Sequence, residues 1–480
     1  MFRPAAVPPW FKKLHLCTSP AAKTKLMQTA SKRVINGWAM YDWANSAYNL
    51  VITSTIFPAY YTAITANESA RHEVSFFGKK VVNTVLFDYV LSAAYLIIVL
   101  LSPILSSIAD YKGNKKKFMQ FFCYLGSICC CGLFIFGPEH DAAGNITGFA
   151  PYVLEGSMLF FMLAAVGYCG SLVFYNSYLP EIAEEKDQDK VSAKGFALGY
   201  IGSILLQIVC FVLVLKVGLF SKMDDFLPSR ISFFLVGIWW LGFAQVTFKR
   251  LPPSRINPVE KSGSVVAHGF NELKKVYRQV VNMPVLKRFL RSFFFYSMGV
   301  QTVMLVATIF GGKELELPSQ TLIVTIMIIQ FVAIAGAYMM SKLSEKFGNL
   351  PVLAFVIVIW IGICIGGYFI QKGSAGQFYI LGGVVGLVMG GIQSLSRSTY
   401  SKLMPETKDT ASFFSFYDVT EKLAIVIGTF SFGLVEAVAG NMRNSVLALM
   451  VYFVIAFVLM LFAIKKFNQV KKAAVQEAVL

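Results

Sequence analysis

The chain has 480 residues, of which 56% are hydrophobic and only 14% charged, and its mean hydropathy is +0.62. A soluble domain carries about 25% charged residues, so this sequence cannot cover a water-soluble core and reads as a polytopic membrane protein. It is long enough for twelve spans of about 20 residues and too short to add a large soluble domain. The net charge of +17 is no sign of nucleic-acid binding by itself, because membrane proteins gather Lys and Arg in the loops of one side.

In chain order, residues 1–34 hold seven Lys or Arg and no acid, with no apolar run before Ile35. This stretch is therefore not a signal peptide and is expected to be disordered. Twelve continuous apolar runs follow, at 35–65, 83–109, 118–137, 152–180, 191–217, 230–248, 286–311, 318–343, 350–370, 377–403, 411–438 and 443–464. Barrel strands would alternate over about ten residues; unbroken runs imply helices. The polar gap 249–285, with Pro252-Pro253 and Pro258, divides the chain into a six-helix half at 35–248 and another at 286–467, before a tail at 468–480. Within the gap, 264–280 has the pattern of an amphipathic helix lying on the membrane surface.

The basic residues set an expected orientation. With both termini inside, the tails and even-numbered loops hold 31 Lys or Arg against nine in the odd-numbered loops. That bias puts both termini in the cytoplasm and makes most of the +17 topological. The eight cysteines read as small apolar packing residues, and no metal site is expected. All four histidines fall in loops or tails, so any proton carrier inside the membrane must be an acid.

A motif repeats between the halves. After the second run comes Ser106-Ser107-Ile108-Ala109-Asp110-Tyr111-Lys112-Gly113-Asn114; after the eighth comes Ser341-Lys342-Leu343-Ser344-Glu345-Lys346-Phe347-Gly348-Asn349. A second echo, Leu179-Pro180-Glu181 and Met404-Pro405-Glu406, follows the fourth and tenth runs. Two six-helix halves of equal orientation are the layout of a secondary transporter with parallel repeats. Each repeated turn joins an acid to a Gly that allows φ > 0. Asp110, Gly113, Glu345 and Gly348 are therefore expected to latch helix pairs together, with Asp110 facing the positive start of the eleventh helix near Ala411.

These residues carry a resemblance. Asp110-Tyr111-Lys112-Gly113 resembles the Gly-x-x-x-Asp-Arg-x-Gly-Arg-Arg loop of the major facilitator superfamily, with Tyr111 in place of the usual Arg and Ser106 in place of the usual Gly. Trp38-Ala39-Met40-Tyr41-Asp42-Trp43-Ala44-Asn45-Ser46-Ala47-Tyr48 and Gly390-Gly391-Ile392-Gln393-Ser394-Leu395-Ser396-Arg397-Ser398 resemble its autophagy-related vacuole effluxer-like branch. So do Tyr175-Asn176 with Pro180, and Gly299-Val300-Gln301-Thr302. Many members have an acid beside that Gly in the seventh helix; here it is Met298. The resemblance implies an all-α major facilitator fold of twelve transmembrane helices in two parallel repeats. It also implies small-solute transport by alternating access, with the first helix lining the cavity. Eukaryotic members are linked to amino-acid export from the vacuole, and bacterial members mostly have no assigned substrate.

Ionisable residues inside spans are functional candidates. Asp42, roughly 10 Å into the first helix, is a candidate proton- or cation-coupling carboxylate, or a ligand for a substrate amine; Tyr41 and Asn45 share its side of the helix. No cation in that helix can neutralise it. Arg397 is expected to pair with Asp418 or Glu421, which share a face with Lys422, as a gate or as a carboxylate-binding group. Gln301 and Gln393 are candidate substrate contacts. The glycines at 366–367, 382–383, 386 and 390–391 suit close helix packing.

No phosphate loop, H-E-x-x-H or nucleophile elbow occurs, so an ATP-driven pump and an intramembrane enzyme are not expected, nor is a cofactor. The leading expectation is an ion-coupled secondary transporter of a small solute, with amino acids a candidate class and protons or sodium the coupling ion. The alternatives are a receptor or scaffold that kept the fold, and a lipid or drug exporter. The expected setting is a monomer in a bacterial cytoplasmic membrane, or else a vacuolar or other organelle membrane.

Overall fold

The computed structural model describes residues 28–66, 72–140, 146–215, 225–253 and 265–479. The expected disorder of the first 34 residues thus lies mostly outside the described residues, as does the middle of the polar gap.

Among the described residues, eleven helical spans are long and apolar enough to cross a membrane. In the first half they are built on α3 (Asn83–Lys112), α4 (Lys115–Gly132), α5 (Val153–Ser177) with the short α6 (Leu179–Ile182), α7 (Gln188–Leu215) and α8 (Leu227–Arg250). In the second they are built on α10 (Pro284–Ile309), α11 (Ser319–Phe347), α12 (Asn349–Phe369), α13 (Ala375–Leu403), α14 (Thr410–Ala439) and α15 (Met442–Val479). Apolar side chains such as Phe430, Ile380 and Val438 stand exposed on the outside, as a lipid solvent permits and water does not. The fold is all-α and membrane-spanning.

The first run is not one helix, contrary to the sequence expectation. It divides into α1 (Lys32–Tyr48), a π-helical turn at Asn49–Ser54, and α2 (Ile56–Ile64). Pro58 offers no N–H to the carbonyl of Ser54. The hydroxyls of Ser54 and Thr55 donate to the carbonyls of Asn49 and Leu50 at 2.9 and 2.7 Å, which satisfies groups that the widened turn releases. A second π turn, Phe310–Glu314, ends α10, so the first helix of each half carries one. The last helix also runs past the expected 464. The stretch after Ile464 is rich in Lys, Gln and Ala, which are good helix formers, and contains no Gly or Pro to stop it.

Glycine seams set the close packing. A Cβ on Gly199 would run into Ser46, and one on Gly202 into the Trp43 carbonyl, so α7 lies against α1. Gly386 and Gly390 have no room beside the Ile329 and Ala333 carbonyls, and Gly336 has none beside Leu387, which joins α13 to α11. This is the small-residue packing of helices in lipid, where no hydrophobic force pulls them together. The expectation for Gly366, Gly367 and Gly383 is not met: their nearest neighbours would be at ordinary contact distance. One buried cluster is built almost wholly within residues 38–251 and a second almost wholly within 276–463.

Two antiparallel hairpins, β1 (Glu73–Phe76) with β2 (Lys79–Val82) and β3 (Glu139–His140) with β4 (Ile146–Gly148), lie at the same end of the spans; we call this the hairpin face. The opposite, basic face carries the start of α1, the end of α15 and α9 (Val265–Val281). The amphipathic α9 buries Val276 and Val280 and packs on α3, α10 and α14.

Three spans, α10, α11 and α12, separate Lys274 from Gln371, so the two lie on opposite faces. In a chain stripped of its eight cysteines, Gln371→Cys should react with an impermeant maleimide from outside intact cells, and Lys274→Cys only after lysis. The reverse pattern overturns the cytoplasmic placement of the termini.

Candidate functional site

Among the described residues, the hydrogen bonds and ion pairs that join the two halves lie in the half of the molecule toward the basic face. The deepest is Tyr200, which donates to Gln393 at 2.8 Å; Ser102 and Ser415 meet at 2.9 Å. Among the hydrogen bonds and ion pairs resolved between described residues, none joins the halves near the hairpin face. These bonds fasten the two halves together toward the basic face, and we call this level the seal.

The centre of the seal is a buried ion pair. Asp42 lies ten residues into α1, about 15 Å from its start, and Arg397 lies on α13. Nη1 and Nη2 of Arg397 both reach Asp42 Oδ2 at 3.2 Å, and both side chains are nearly inaccessible. Tyr175 of α5 donates to the same oxygen at 2.7 Å. Nε of Arg397 donates to Ser192 Oγ at 3.0 Å, Nη2 to the Ser192 carbonyl at 2.9 Å, and Nη1 to Asn176 Oδ1 at 3.2 Å. Three rings enclose the guanidinium: Phe196 at 4.2 Å, Trp38 at 4.8 Å and Tyr175 at 5.4 Å.

This corrects one sequence expectation. Arg397 does not pair with Asp418 or Glu421; it pairs with Asp42, across the two halves, while no cation of α1 itself meets Asp42. The expectation failed because it weighed partners near in sequence, whereas docking of α13 on α1 and α7 chooses the contact. Tyr41 backs Tyr175, with ring centroids 5.1 Å apart, and Asn45 is buried; no hydrogen bond joins either to the pair.

Two polar clusters close the basic face on either side. In one, Asp110 accepts from the Ala411 and Ser412 amides at 3.2 and 2.8 Å and from the Ser412 hydroxyl at 2.8 Å. The carboxylate thus sits on the N-terminal amides of α14, where the helix dipole favours an anion. Lys115 is completely buried between Asp110 at 3.1 Å and Glu181 at 2.6 Å, and donates to Thr410. Gly113 takes the left-handed conformation that turns α3 into α4. In the other cluster, Asp189 on α7 accepts from Ser344 at 2.9 Å, Asn349 at 2.7 Å and Lys402 at 2.6 Å. Gly348 there also has positive φ. Glu345, expected to match Asp110, is exposed and outside the cluster; the carboxylate is supplied by Asp189 instead. Below the first cluster, Lys275 of α9 reaches Glu272 at 2.6 Å and Asp409 at 3.2 Å. Partial burial opposes its charge, but these two carboxylates hold its ammonium above the ordinary lysine pKa.

A third charged group lies at mid-depth, beyond the seal. Lys422 lies 3.4 Å from Asp418 and 3.1 Å from Glu421, and 6.0 Å from the Tyr95 ring of the other half. Gln301 donates to Glu421 at 3.2 Å. These groups come together as the spacing of the α14 charges implied, but without Arg397.

Sequence reading missed Gly195, Ser192 and Asp189, and named Tyr175 only as part of a motif of resemblance, without a role at the site. Gly195 left a signal, the Gly195-x-x-x-Gly199 spacing on α7. A Cβ on Gly195 would overlap Asp42 Oδ2 and crowd the Arg397 guanidinium. Gly195→Ala should therefore force the pair apart at about 1–3 kcal/mol, whereas Gly156→Ala, with open space around it, should be silent. The readout is alkylation of Ser102→Cys, a buried position in the seal, which should quicken severalfold with Gly195→Ala only. Asp110→Ala removes three hydrogen bonds and leaves Lys115 with less counter-charge. It should quicken the same alkylation about tenfold or more, since bonds to a charged group contribute about 1.5–3 kcal/mol. An unchanged rate would mean that Asp110 holds nothing shut.

The chain's relatives agree with this architecture. The profile of the family described as "Vacuole effluxer Atg22 like" matches residues 30–474. The chain is 31% identical over 430 residues to an uncharacterized MFS-type transporter, YxiO, of Bacillus subtilis, covering 89% of this chain and 94% of that one. It is 27% identical over 488 residues to autophagy-related protein 22 of Kluyveromyces lactis, covering 91% and 94%. Among solved structures, the proton:xylose symporter XylE superposes with a TM-score of 0.64 at 13% identity, over 89% of this chain and 94% of that one. FucP in the outward conformation superposes with a TM-score of 0.59 at 14% identity, over 90% and 97%. The fold is that of the major facilitator superfamily, and the chain is a transporter-family protein rather than an enzyme: it belongs to the vacuole effluxer Atg22-like family.

Proposed function

We propose that this chain is a secondary active transporter of a small polar solute, with amino acids as the substrate class, driven by a proton gradient through Asp42. Both termini are cytoplasmic in this reading, so the sealed basic face is the cytoplasmic gate and the conformation is outward-facing. The observation that carries the reading is the buried Asp42–Arg397 pair between the halves. A proton on Asp42 removes the negative charge that holds Arg397. In a low dielectric that attraction is strong, and breaking a buried pair costs about 3–5 kcal/mol. Protonation thus favours separation of the halves at this face. Because proton binding and opening are then linked, the gradient drives alternation. Gln301, Glu421 and Lys422 beyond the gate, with Gln393 at its edge, supply both signs of charge and neutral polar groups, which suits a zwitterion. Asp110, Asp189 and their lysines act as latches that reinforce the closed gate.

The test is flux in proteoliposomes. Asp42→Asn should lower accumulation driven by a pH gradient by at least about tenfold while leaving exchange of substrate at equal pH within about twofold. If the variant still concentrates substrate on a pH gradient, coupling does not run through Asp42.

A further inference from the structure

Every group that holds the Arg397 guanidinium belongs to the first half. The acceptors are Asp42 Oδ2 on α1, Asn176 Oδ1 on α5, and the Ser192 hydroxyl and carbonyl on α7. The rings are Trp38, Tyr175 and Phe196. Together they receive all three guanidinium nitrogens at 2.9–3.2 Å and cover the planar cation with aromatic faces, an arrangement that attracts a desolvated cation. Among the described residues, the second half contributes the arginine and the Ser394 carbonyl, which accepts from the Ser192 hydroxyl at 2.8 Å. This box is also braced from within its own half: the Trp38 indole donates to the Tyr175 carbonyl at 3.0 Å and stacks on the Tyr175 ring at 4.5 Å. Gly195 leaves the space that the pair occupies.

We propose that this box is a binding site for a guanidinium-bearing solute, filled by Arg397 while the basic face is sealed and free to take the solute when the halves part. Arg397 is then an internal ligand that competes with the solute. The solute enters from the basic face, binds only the parted form, and holds the gate open by mass action. This rests on the alternating-access reading above, but not on proton coupling. A primary ammonium has three donors and no plane, and matches the acceptors and rings less well than a guanidinium does.

The probe is methylguanidinium, with methylammonium and sodium chloride at equal ionic strength as controls. Purified Arg397→Ala should show a saturable rise in its unfolding midpoint of about 3 °C or more, as expected for a ligand that binds the folded state. Methylammonium should give less than half of that, and the Asp42→Asn/Arg397→Ala double variant should give none. A second measurement does not depend on removing Arg397. In the otherwise native chain, methylguanidinium should quicken alkylation of Ser102→Cys by about twofold or more, and Trp38→Ala should abolish that effect. Equal responses to methylguanidinium and sodium in both measurements would overturn the proposal. Neither readout uses flux, so loss of the proton-coupling reading would leave a positive result standing, and a negative result here would leave that reading intact.

Discussion

A buried carboxylate and a buried guanidinium, one from each half, set the terms for the rest of this molecule. Neither Asp42 nor Arg397 is stable alone in a lipid-embedded interior, so each half presents a charge that only the other half neutralises. The interior around them serves this meeting. Gly195 leaves out a side chain where the carboxylate lies. Tyr175 offers its hydroxyl to the carboxylate and its ring to the guanidinium. Ser192 takes two of the guanidinium N–H groups and also donates to the Ser394 carbonyl at 2.8 Å, tying α7 to α13 at the same level.

The architecture was legible because lipid leaves few choices. Continuous apolar runs of span length must be helices, and a motif repeated at 106–114 and 341–349 must mark repeated halves. The break in the first helix was not legible as hydropathy, since Asn49–Ser54 is as apolar as its flanks permit. It follows from Pro58 and from hydroxyls that can capture loosened carbonyls, a local competition that a count of apolar residues does not see.

At the candidate site, the residues were readable and their pairing was not. Asp42, Arg397, Gln301 and Gln393 stood out as polar groups in apolar runs, and Asp110 as the acid of the repeated motif just after one. Which charge meets which depends on how α13 docks on α1 and α7, and nothing in a linear sequence of unaligned helices records that. Asp110 was the exception. Its partner is not a side chain chosen by docking detail but the start of a helix, a feature with a fixed sign, so physics alone named it.

The second copy of the motif shows why a repeated sequence need not repeat its chemistry. In the first cluster the anion at the N-terminus of α14 comes from the other half, as Asp110. In the second cluster α7 already holds an acid, Asp189, in its own first turn, and the facing turn answers with donors, Ser344 and Asn349. Each cluster then has one buried carboxylate at a helix start and one lysine against it, Lys115 or Lys402. Were Glu345 to turn inward as Asp110 does, it would bring a second carboxylate beside Asp189, with like charges meeting in a low dielectric. Facing outward removes that repulsion. Both turns place a glycine at positive φ, in the left-handed helical conformation at Gly113 (ψ 28°) and outside it at Gly348 (ψ 156°), while the sign of the charge they present is set by what already stands at the helix start opposite.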